Sequence, residues 1–286
     1  MRNEWNIWVV GGDLRQVRLA RLLCEEGHTV HTWALEEAEG VPEPAAGLAG
    51  AELADCVVLP LPAAGEDGRL NAPFSAQKPE LATVLDALRP GQVVCAGRAS
   101  PELRALAEER RLRLFDYFDR EELAVANAVP TAEGAVQLAM EELPITISGA
   151  RCLITGYGRV GQALARLLVA LGANVTVAAR KFSDLARAQT LGCETLEIQH
   201  LENAGDFDVI FNTVPVLLFS RDILQRMDRS TLLIDLASKP GGVDFTAAAE
   251  LQLKTIWALS LPGRVAPKSA GFIIKNAILN MLKEGI

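Results

Sequence analysis

Short apolar runs alternate with helical patterns along most of the chain. In the first half the apolar runs predict five strands, at residues 7–10, 29–33, 56–59, 93–96 and 114–116. Helical periodicity between them predicts helices at residues 14–26, 78–88 and 101–111. Strands that alternate with helices favour a parallel sheet covered on both faces.

The alternation recurs in the second half, after a helix predicted at residues 131–142. Pro130 precedes this helix, Thr131 can cap it, and Glu133 lies in its first turn, where the helix dipole favours a carboxylate. The strands and helices that follow are predicted at residues 152–155, 160–171, 175–178, 209–212, 232–235, 255–258 and 269–282, the last an apolar helix.

This pattern predicts an α/β protein with two Rossmann-like domains, each with a parallel sheet, linked by a helix. We expect an N-terminal substrate and catalytic domain at residues 1–130. A nucleotide-binding Rossmann domain with the linker helix is expected at 131–265. The C-terminal helix, at 266–286, is expected to pack back on the N-terminal domain.

One glycine-rich turn sits between a predicted strand and a predicted helix, which is the context that a dinucleotide-binding loop needs. Gly156 allows the tight turn, Gly158 lets a pyrophosphate approach the backbone, and Gly161 lets the helix pack on the strand. The free N–H groups of the helix N-terminus then face the phosphates. The cofactor-binding residues predicted here are Gly156, Tyr157, Gly158, Arg159, Val160 and Gly161.

The end of the next strand favours NADP over NAD. An NAD-binding domain usually places an acidic residue there to hold the ribose hydroxyls. In this chain Arg180 and Lys181 stand at that position instead. A carboxylate would repel the 2′-phosphate of NADP, whereas an arginine can pair with it in a bidentate manner.

Two later strands end in segments that are expected to complete the cofactor site, because open α/β sheets bind ligands at the carboxyl ends of their strands. Thr213 and Pro215 are expected to line the nicotinamide ribose. The alternative is that these segments are plain strand-to-loop turns. The residues predicted here are Thr213, Val214 and Pro215 after one strand and Leu236, Ala237 and Ser238 after the next.

Composition narrows the classes of partner. The chain has 286 residues, half of them hydrophobic, and a formal net charge of −8, so no general attraction to nucleic acid or to an anionic membrane is expected. Its five cysteines include no CxxC pair, and its three histidines have no metal-ligand spacing. We therefore expect reduced thiols, a cytoplasmic location and no metal site.

In an acidic protein, an anionic substrate must be held by local cations. Arg15, Arg264 and Lys268 are candidates, as is Lys239, with a solvated charge as the alternative for each. Arg15 follows a glycine turn, at which the helix N-terminus could bind a carboxylate; alternatively, Asp13 caps that helix. The substrate-binding residues predicted are Gly12, Asp13, Arg15, Asn127, Thr131 and Arg264.

Taken together, six motifs resemble those of the family of dipicolinate synthase A subunits, and the resemblance covers nearly the whole chain. They are GGDLRQ, NAVPTAEGA, GYGRVGQALA, NTVP, DLASKPGGVDF and LPGRVAPKSAG. The resemblance implies NADP-linked oxidation of dihydrodipicolinate, derived from the lysine-pathway compound 4-hydroxy-tetrahydrodipicolinate, to dipicolinate. It also implies a sporulating bacterium, the mother-cell cytoplasm and partnership with a flavoprotein-like B subunit. We expect a homo-oligomer.

Oxidation of a dihydropyridine ring to an aromatic one needs hydride transfer and loss of an acidic proton, so positioning matters more than a strong base. Glu133 or Lys268 could accept that proton and are the predicted catalytic residues. One alternative is an NADP-dependent dehydrogenase of 2-oxo or 2-hydroxy acids, which the lack of any histidine after His200 disfavours. The other is a non-catalytic NADP-sensing protein.

Overall fold

Two parallel sheets organise the computed structural model, which describes residues 4–65, 67–203 and 206–285. By their internal contacts the residues form two units, Met1–Ala126 with Ala266–Ile286, and Asn127–Val265. The predicted α/β class with two Rossmann-like domains is confirmed.

The first unit has a five-stranded sheet of order β2-β1-β3-β4-β5, with every neighbouring pair parallel. Its strands are β1 (Asn6–Val10), β2 (Thr29–Trp33), β3 (Cys56–Val58), β4 (Val93–Ala96) and β5 (Arg113–Asp116). Its helices are α1 (Leu14–Glu25), α2 (Leu81–Asp86) and α3 (Pro101–Glu109). Helix α4 (Glu121–Glu142) follows, and the division between the units falls among its residues.

The second unit has a six-stranded parallel sheet of order β11-β10-β9-β6-β7-β8. Its strands are β6 (Arg151–Thr155), β7 (Asn174–Ala179), β8 (Glu194–Glu197), β9 (Val209–Asn212), β10 (Leu232–Asp235) and β11 (Lys254–Trp257). Its helices are α5 (Arg159–Ala170), α6 (Phe182–Thr190), α7 (Arg221–Leu224), α8 (Phe245–Glu250) and α9 (Leu261–Val265). The last helix, α10 (Pro267–Lys283), belongs to the first unit.

Both faces of each sheet are buried, which explains why the strands read as continuous apolar runs. In β1, Ile7 and Val9 face a core shared with α1 and α10, whereas Trp8 and Val10 face a core shared with α2 and α3. Helix α10 packs closely on α1, since a Cβ at Gly271 would lie 2.6 Å from the Arg15 carbonyl oxygen. The predicted return of the last helix to the first domain is therefore correct.

The start of α4 was predicted wrongly. The helix begins at Glu121, ten residues before the predicted start, and Pro130 lies inside it. Thr131 does not cap the helix, because its hydroxyl donates to the Asn127 carbonyl oxygen one turn earlier, at 2.7 Å. Proline removes one N–H from the helical ladder, but Leu123, Ala128 and Ala132 are buried and packing keeps the helix continuous.

The other differences are smaller. Helix α2 begins at Leu81 rather than at residue 78, with Glu80 as its N-cap, because Pro79 disfavours helical geometry in the residue before it. The elements β8, α6, α7, α8 and α9 have no counterpart in the sequence prediction. Within the described residues no helix is long and apolar enough to cross a membrane.

Candidate functional site

The glycine turn after β6 has the geometry that its first and third glycines require. Gly156 has φ +91°, and a Cβ there would lie 2.5 Å from the Thr213 hydroxyl oxygen and 2.8 Å from Val214 Cγ2. A Cβ at Gly161 would lie 2.2 Å from the Gly156 carbonyl oxygen. At these two positions the protein's own packing excludes a side chain.

Gly158 is different, because none of the described residues excludes a side chain there. It is the exposed N-cap of α5, with φ −76° and ψ −162°, a conformation open to any residue. A Cβ at Gly158 would meet no atom of the described chain within 4 Å, its neighbours in sequence aside. The space in front of this residue is therefore open to a molecule that approaches the backbone closely.

The turn lies where the strand order of the second sheet reverses. The chain runs from β6 outward through β7 and β8, and then returns to β9 on the other side of β6. The crevice at the carboxyl ends of two such strands is the usual ligand site of open α/β sheets. Thr213 borders this crevice, and its N–H and its hydroxyl both donate to the Thr155 carbonyl oxygen, at 3.0 and 2.8 Å.

A buried polar network links the ends of β6, β9 and β10. The Thr155 hydroxyl donates to Asn212 Oδ1 at 2.7 Å, and Asn212 Nδ2 donates to Asp235 Oδ1 at 2.8 Å. All three side chains are fully buried. None of them was among the predicted site residues; their position as polar residues that close apolar strands is the signal that could have identified them.

Asp235 also shapes the turn that follows β10. Its Oδ1 accepts from the Ala237 N–H at 3.0 Å, and its Oδ2 accepts from the Gly242 N–H at 2.8 Å. From the other side, Trp257 Nε1 donates to the Ala237 carbonyl oxygen at 3.0 Å. The turn thus holds a fixed shape beside the crevice, with Ala237 buried, Leu236 half-buried and Ser238 exposed.

The two cations at the end of β7 are exposed. Lys181 is the N-cap of α6, and Arg180 precedes it directly. Neither side chain has an ion-pair or hydrogen-bond partner among the described residues. Both guanidinium and ammonium donors are therefore available to an anion at this strand end.

The predicted residues of the second unit outside the crevice fall on α4 and α9. Glu133 and Arg264 are exposed. Asn127 is half-buried, and its Oδ1 atom is shielded from solvent with no hydrogen-bond partner among the described residues. A buried acceptor without a donor is rare in native proteins, so this amide oxygen is suited to a donor that the chain itself does not supply.

In the first unit the turn after β1 is satisfied internally. Asp13 is the N-cap of α1, since its Oδ1 accepts from the Arg15 N–H at 2.9 Å. The buried Arg15 guanidinium pairs with the same carboxylate, with Nη2 2.8 Å from Oδ2, and also donates to the Leu61 carbonyl oxygen. The alternative of a capping Asp13 is therefore correct, and Arg15 already has a carboxylate partner.

Two buried polar residues beside that turn were missed from the sequence. The Tyr117 hydroxyl donates to the Leu59 carbonyl oxygen at 3.0 Å. Gln16 Nε2 donates to the Tyr117 hydroxyl oxygen at 3.5 Å. Burial raises the pKa of Tyr117, which keeps its hydroxyl a neutral donor. A Cβ at Gly12 would lie 2.6 Å from Gln16 Oε1, so this glycine makes room for Gln16.

The predicted catalytic residue Lys268 is exposed in the first turn of α10.

Two family models match the chain. The model described as the N-terminal domain of the dipicolinate synthase A subunit matches residues 6–118. The model described as the NAD binding domain of D-isomer specific 2-hydroxyacid dehydrogenase matches residues 124–247. The dipicolinate synthase A subunit from Bacillus subtilis (strain 168) is 33% identical to this chain, in an alignment that covers 97% of this chain and 96% of that protein.

Solved structures agree with these matches. The crystal structure of the dipicolinate synthase A subunit from Bacillus subtilis has a TM-score of 0.89 at 32% identity, and the alignment covers 99% of this chain and 97% of that one. Its counterpart from Bacillus halodurans has a TM-score of 0.90 at 31% identity, covering 96% and 97%. A transhydrogenase from Sinorhizobium meliloti, at 17% identity and a TM-score of 0.73 over 97% and 93%, shares the fold.

Proposed function

The chain belongs to the family of dipicolinate synthase A subunits, and we propose that it is an NADP-dependent oxidoreductase that forms dipicolinate from dihydrodipicolinate. The match to a dehydrogenase NAD-binding domain supports an oxidoreductase with a nicotinamide cofactor. In the proposal the substrate derives from the lysine-pathway compound 4-hydroxy-tetrahydrodipicolinate, and the reaction occurs in the mother-cell cytoplasm during sporulation. A flavoprotein-like B subunit is the proposed partner, in keeping with the relatives' naming as one of several subunits.

Gly158 is the observation that supports this proposal most directly. The described residues give no internal reason for glycine at that position, since its backbone conformation is ordinary and none of their atoms, its neighbours in sequence aside, lies within 4 Å of its Cβ position. The pyrophosphate of a dinucleotide supplies the reason, because it must approach the N–H groups at the start of α5. The neighbouring residues fit the same ligand, with Thr213 and Val214 closing the crevice beside Gly156.

The proposed reaction needs few catalytic groups from the chain. When bound, NADP⁺ supplies the hydride acceptor. The dihydropyridine ring loses one hydride and one proton, and it leaves as the aromatic dicarboxylate. The residues must hold two carboxylates and take up the proton. In the proposal Arg264 holds a carboxylate, Asn127 accepts a hydrogen bond, and the proton passes to Glu133 or to a neutral Lys268.

Activity is expected with freshly prepared dihydrodipicolinate and NADP⁺, read as NADPH absorbance. We expect Glu133→Gln or Lys268→Met to lower kcat by about tenfold or more, because proton transfer by a positioned group contributes at least that factor. The matched controls are Glu141→Gln on α4 and Lys283→Met on α10, both exposed, which should leave kcat unchanged. A rate no higher than spontaneous oxidation, with and without the B subunit, would argue against catalysis by this chain.

A second candidate is a dehydrogenase of 2-oxo or 2-hydroxy acids, which the family match at residues 124–247 favours. That chemistry usually needs a strong general base, and no histidine follows His200. A panel of 2-hydroxy acids with NADP⁺ and NAD⁺ distinguishes the two reactions. NADP binding without turnover of any of these substrates would instead favour a sensing role.

Arg180→Ala is expected to weaken NADP binding by about tenfold and to leave NAD binding unchanged. The reason is that a guanidinium paired with the 2′-phosphate contributes at least about 1.4 kcal/mol, and NAD lacks that phosphate. Fluorescence titration with both dinucleotides measures the effect. Arg229→Ala, an exposed arginine elsewhere in the second unit, is the control. An unchanged preference for NADP in Arg180→Ala would overturn the assignment of Arg180.

A further inference from the structure

A second recess of the second unit lies beside the dinucleotide loop, between α5 and α6. Its volume is about 210 Å³. It is lined by Tyr157, Gln162, Arg166, Arg187, Thr190 and Leu191. We call it the α5–α6 recess. Pockets for drug-sized ligands start near 300 Å³, so this volume suits a small ion rather than a nucleotide.

Two guanidinium groups line this recess. Arg166 uses its Nε to donate to the Gln162 carbonyl oxygen at 3.2 Å, and its terminal nitrogens have no partner among the described residues. Arg187 Nη1 forms an ion pair with Asp184 Oδ1 at 3.8 Å, a distance too long for a hydrogen bond, so its donors are not used by that carboxylate. Both side chains are exposed. With the Asp184 carboxylate included, the two cations still leave a net positive charge at this small recess, in a chain of net charge −8.

Tyr157 forms the wall between the recess and the glycine loop. The residue is buried, and its carbonyl oxygen accepts from Gln162 Nε2 at 3.1 Å. Burial raises the pKa of Tyr157. Arg166 and Arg187 line the same recess as this residue. The recess is therefore next to the loop in space and joined to it through Gln162 and Tyr157.

We propose that the α5–α6 recess binds a small oxyanion, a dicarboxylate or phosphate, through Arg166 and Arg187, and that its occupancy weakens dinucleotide binding at the adjacent loop. Planar guanidinium groups match carboxylate and phosphate oxygens in a bidentate manner. The Thr190 hydroxyl donates to the Arg187 carbonyl oxygen at 2.7 Å, so the anion is held by the cations. The effect on the dinucleotide rests on the proposed function, whereas binding of the anion does not.

The direction of the coupling follows from charge. With the recess empty, the positive charges of Arg166 and Arg187 outweigh the negative charge of Asp184 near the loop that receives the pyrophosphate. A bound dianion makes the net charge of the recess negative, and this charge then repels the pyrophosphate. For charges roughly 10 Å apart in water at low salt, the expected change is about two- to fourfold in the Kd of the dinucleotide. Because linkage is reciprocal, the dinucleotide must weaken the anion by the same factor.

Calorimetric titration of the full chain with sodium malonate, and separately with inorganic phosphate, tests the site in a low-salt buffer free of other oxyanions. We expect saturable binding with a Kd of about millimolar order. The double variant Arg166→Gln, Arg187→Gln should weaken it by about tenfold or more. Arg226→Gln, Arg229→Gln removes the same charge from exposed positions elsewhere in the second unit and should not. Thermal unfolding verifies that each variant is folded.

The outcomes separate the parts of the proposal. Equal anion affinity in the two double variants, or no saturable binding in the unmodified chain, overturns the site. Comparison of malonate with phosphate identifies which oxyanion it prefers. Anion binding that leaves the NADP titration unchanged overturns the coupling alone. If the chain binds no dinucleotide, the proposed function fails, while the anion isotherm and its loss in the Arg166, Arg187 variant still decide the site.

Discussion

Gly158→Ala is expected to weaken dinucleotide binding by about 100-fold or more while leaving the protein fully folded. The added methyl group would point into the space in front of α5, where no described protein atom lies within 4 Å. It would stand where the pyrophosphate must approach the N–H groups of the helix. The loss corresponds to about 2.7 kcal/mol of binding free energy. The expected change in folding stability is small, because the entropic gain from replacing glycine, up to about 1 kcal/mol, is opposed by the lower preference of alanine for the N-cap position.

Gly47→Ala is the matched control for this variant. Gly47 also has no positive φ and no described atom within 4 Å of its Cβ position, but it lies in the first unit, far along the chain from the loop. Titration with NADP and thermal unfolding should show normal affinity and normal stability for this control. Normal NADP affinity in a folded Gly158→Ala protein would contradict the placement of the pyrophosphate at this loop.

Local pattern was a good guide to the central strands, because these are buried on both faces and leave an unbroken apolar run, whereas the edge strand β8, with the sequence ETLE, was missed. The predicted strand at 232–235 coincides with β10, and that at 29–33 with β2. Pattern was a poor guide at Pro130, where the local cost of proline in a helix, about 3 kcal/mol, favours a helix start. The buried side chains Leu123 and Ala128 outweigh that cost through tertiary packing, which no local signal contains.

The same contrast applies to the candidate site. The glycine spacing and the position of strand ends predicted that Thr213 and Val214 belong with the glycine loop, and both lie beside Gly156, because this proximity is a consequence of topology. The partner of each charged side chain could not be predicted. Arg15 was expected to be available for a substrate, yet it pairs with Asp13, two residues away. Such pairings depend on rotamers and burial that follow only from the folded structure.

The network around Asp235 has a further consequence, namely that Asp235→Ala should destabilise the protein by about 3–5 kcal/mol. The variant removes the acceptor of three buried donors, Asn212 Nδ2 and the N–H groups of Ala237 and Gly242. A buried donor left unpaired costs about 1–3 kcal/mol. Urea unfolding followed by circular dichroism measures the loss. Amide exchange should show lost protection at Ala237 and Gly242, and NADP affinity should fall because the turn after β10 borders the crevice.

Asp244→Ala provides the comparison that isolates this network. Asp244 lies in the same segment and accepts one hydrogen bond, from the Ala247 N–H at 2.9 Å, as the N-cap of α8. Loss of such a cap costs about 1 kcal/mol. Asp235→Asn keeps one acceptor oxygen but turns an amide toward a donor, so its loss should fall between the two alanine variants. If Asp235→Ala costs no more than Asp244→Ala, the network does not hold the strand ends, and the fixed shape of the crevice must come from the apolar core beneath it.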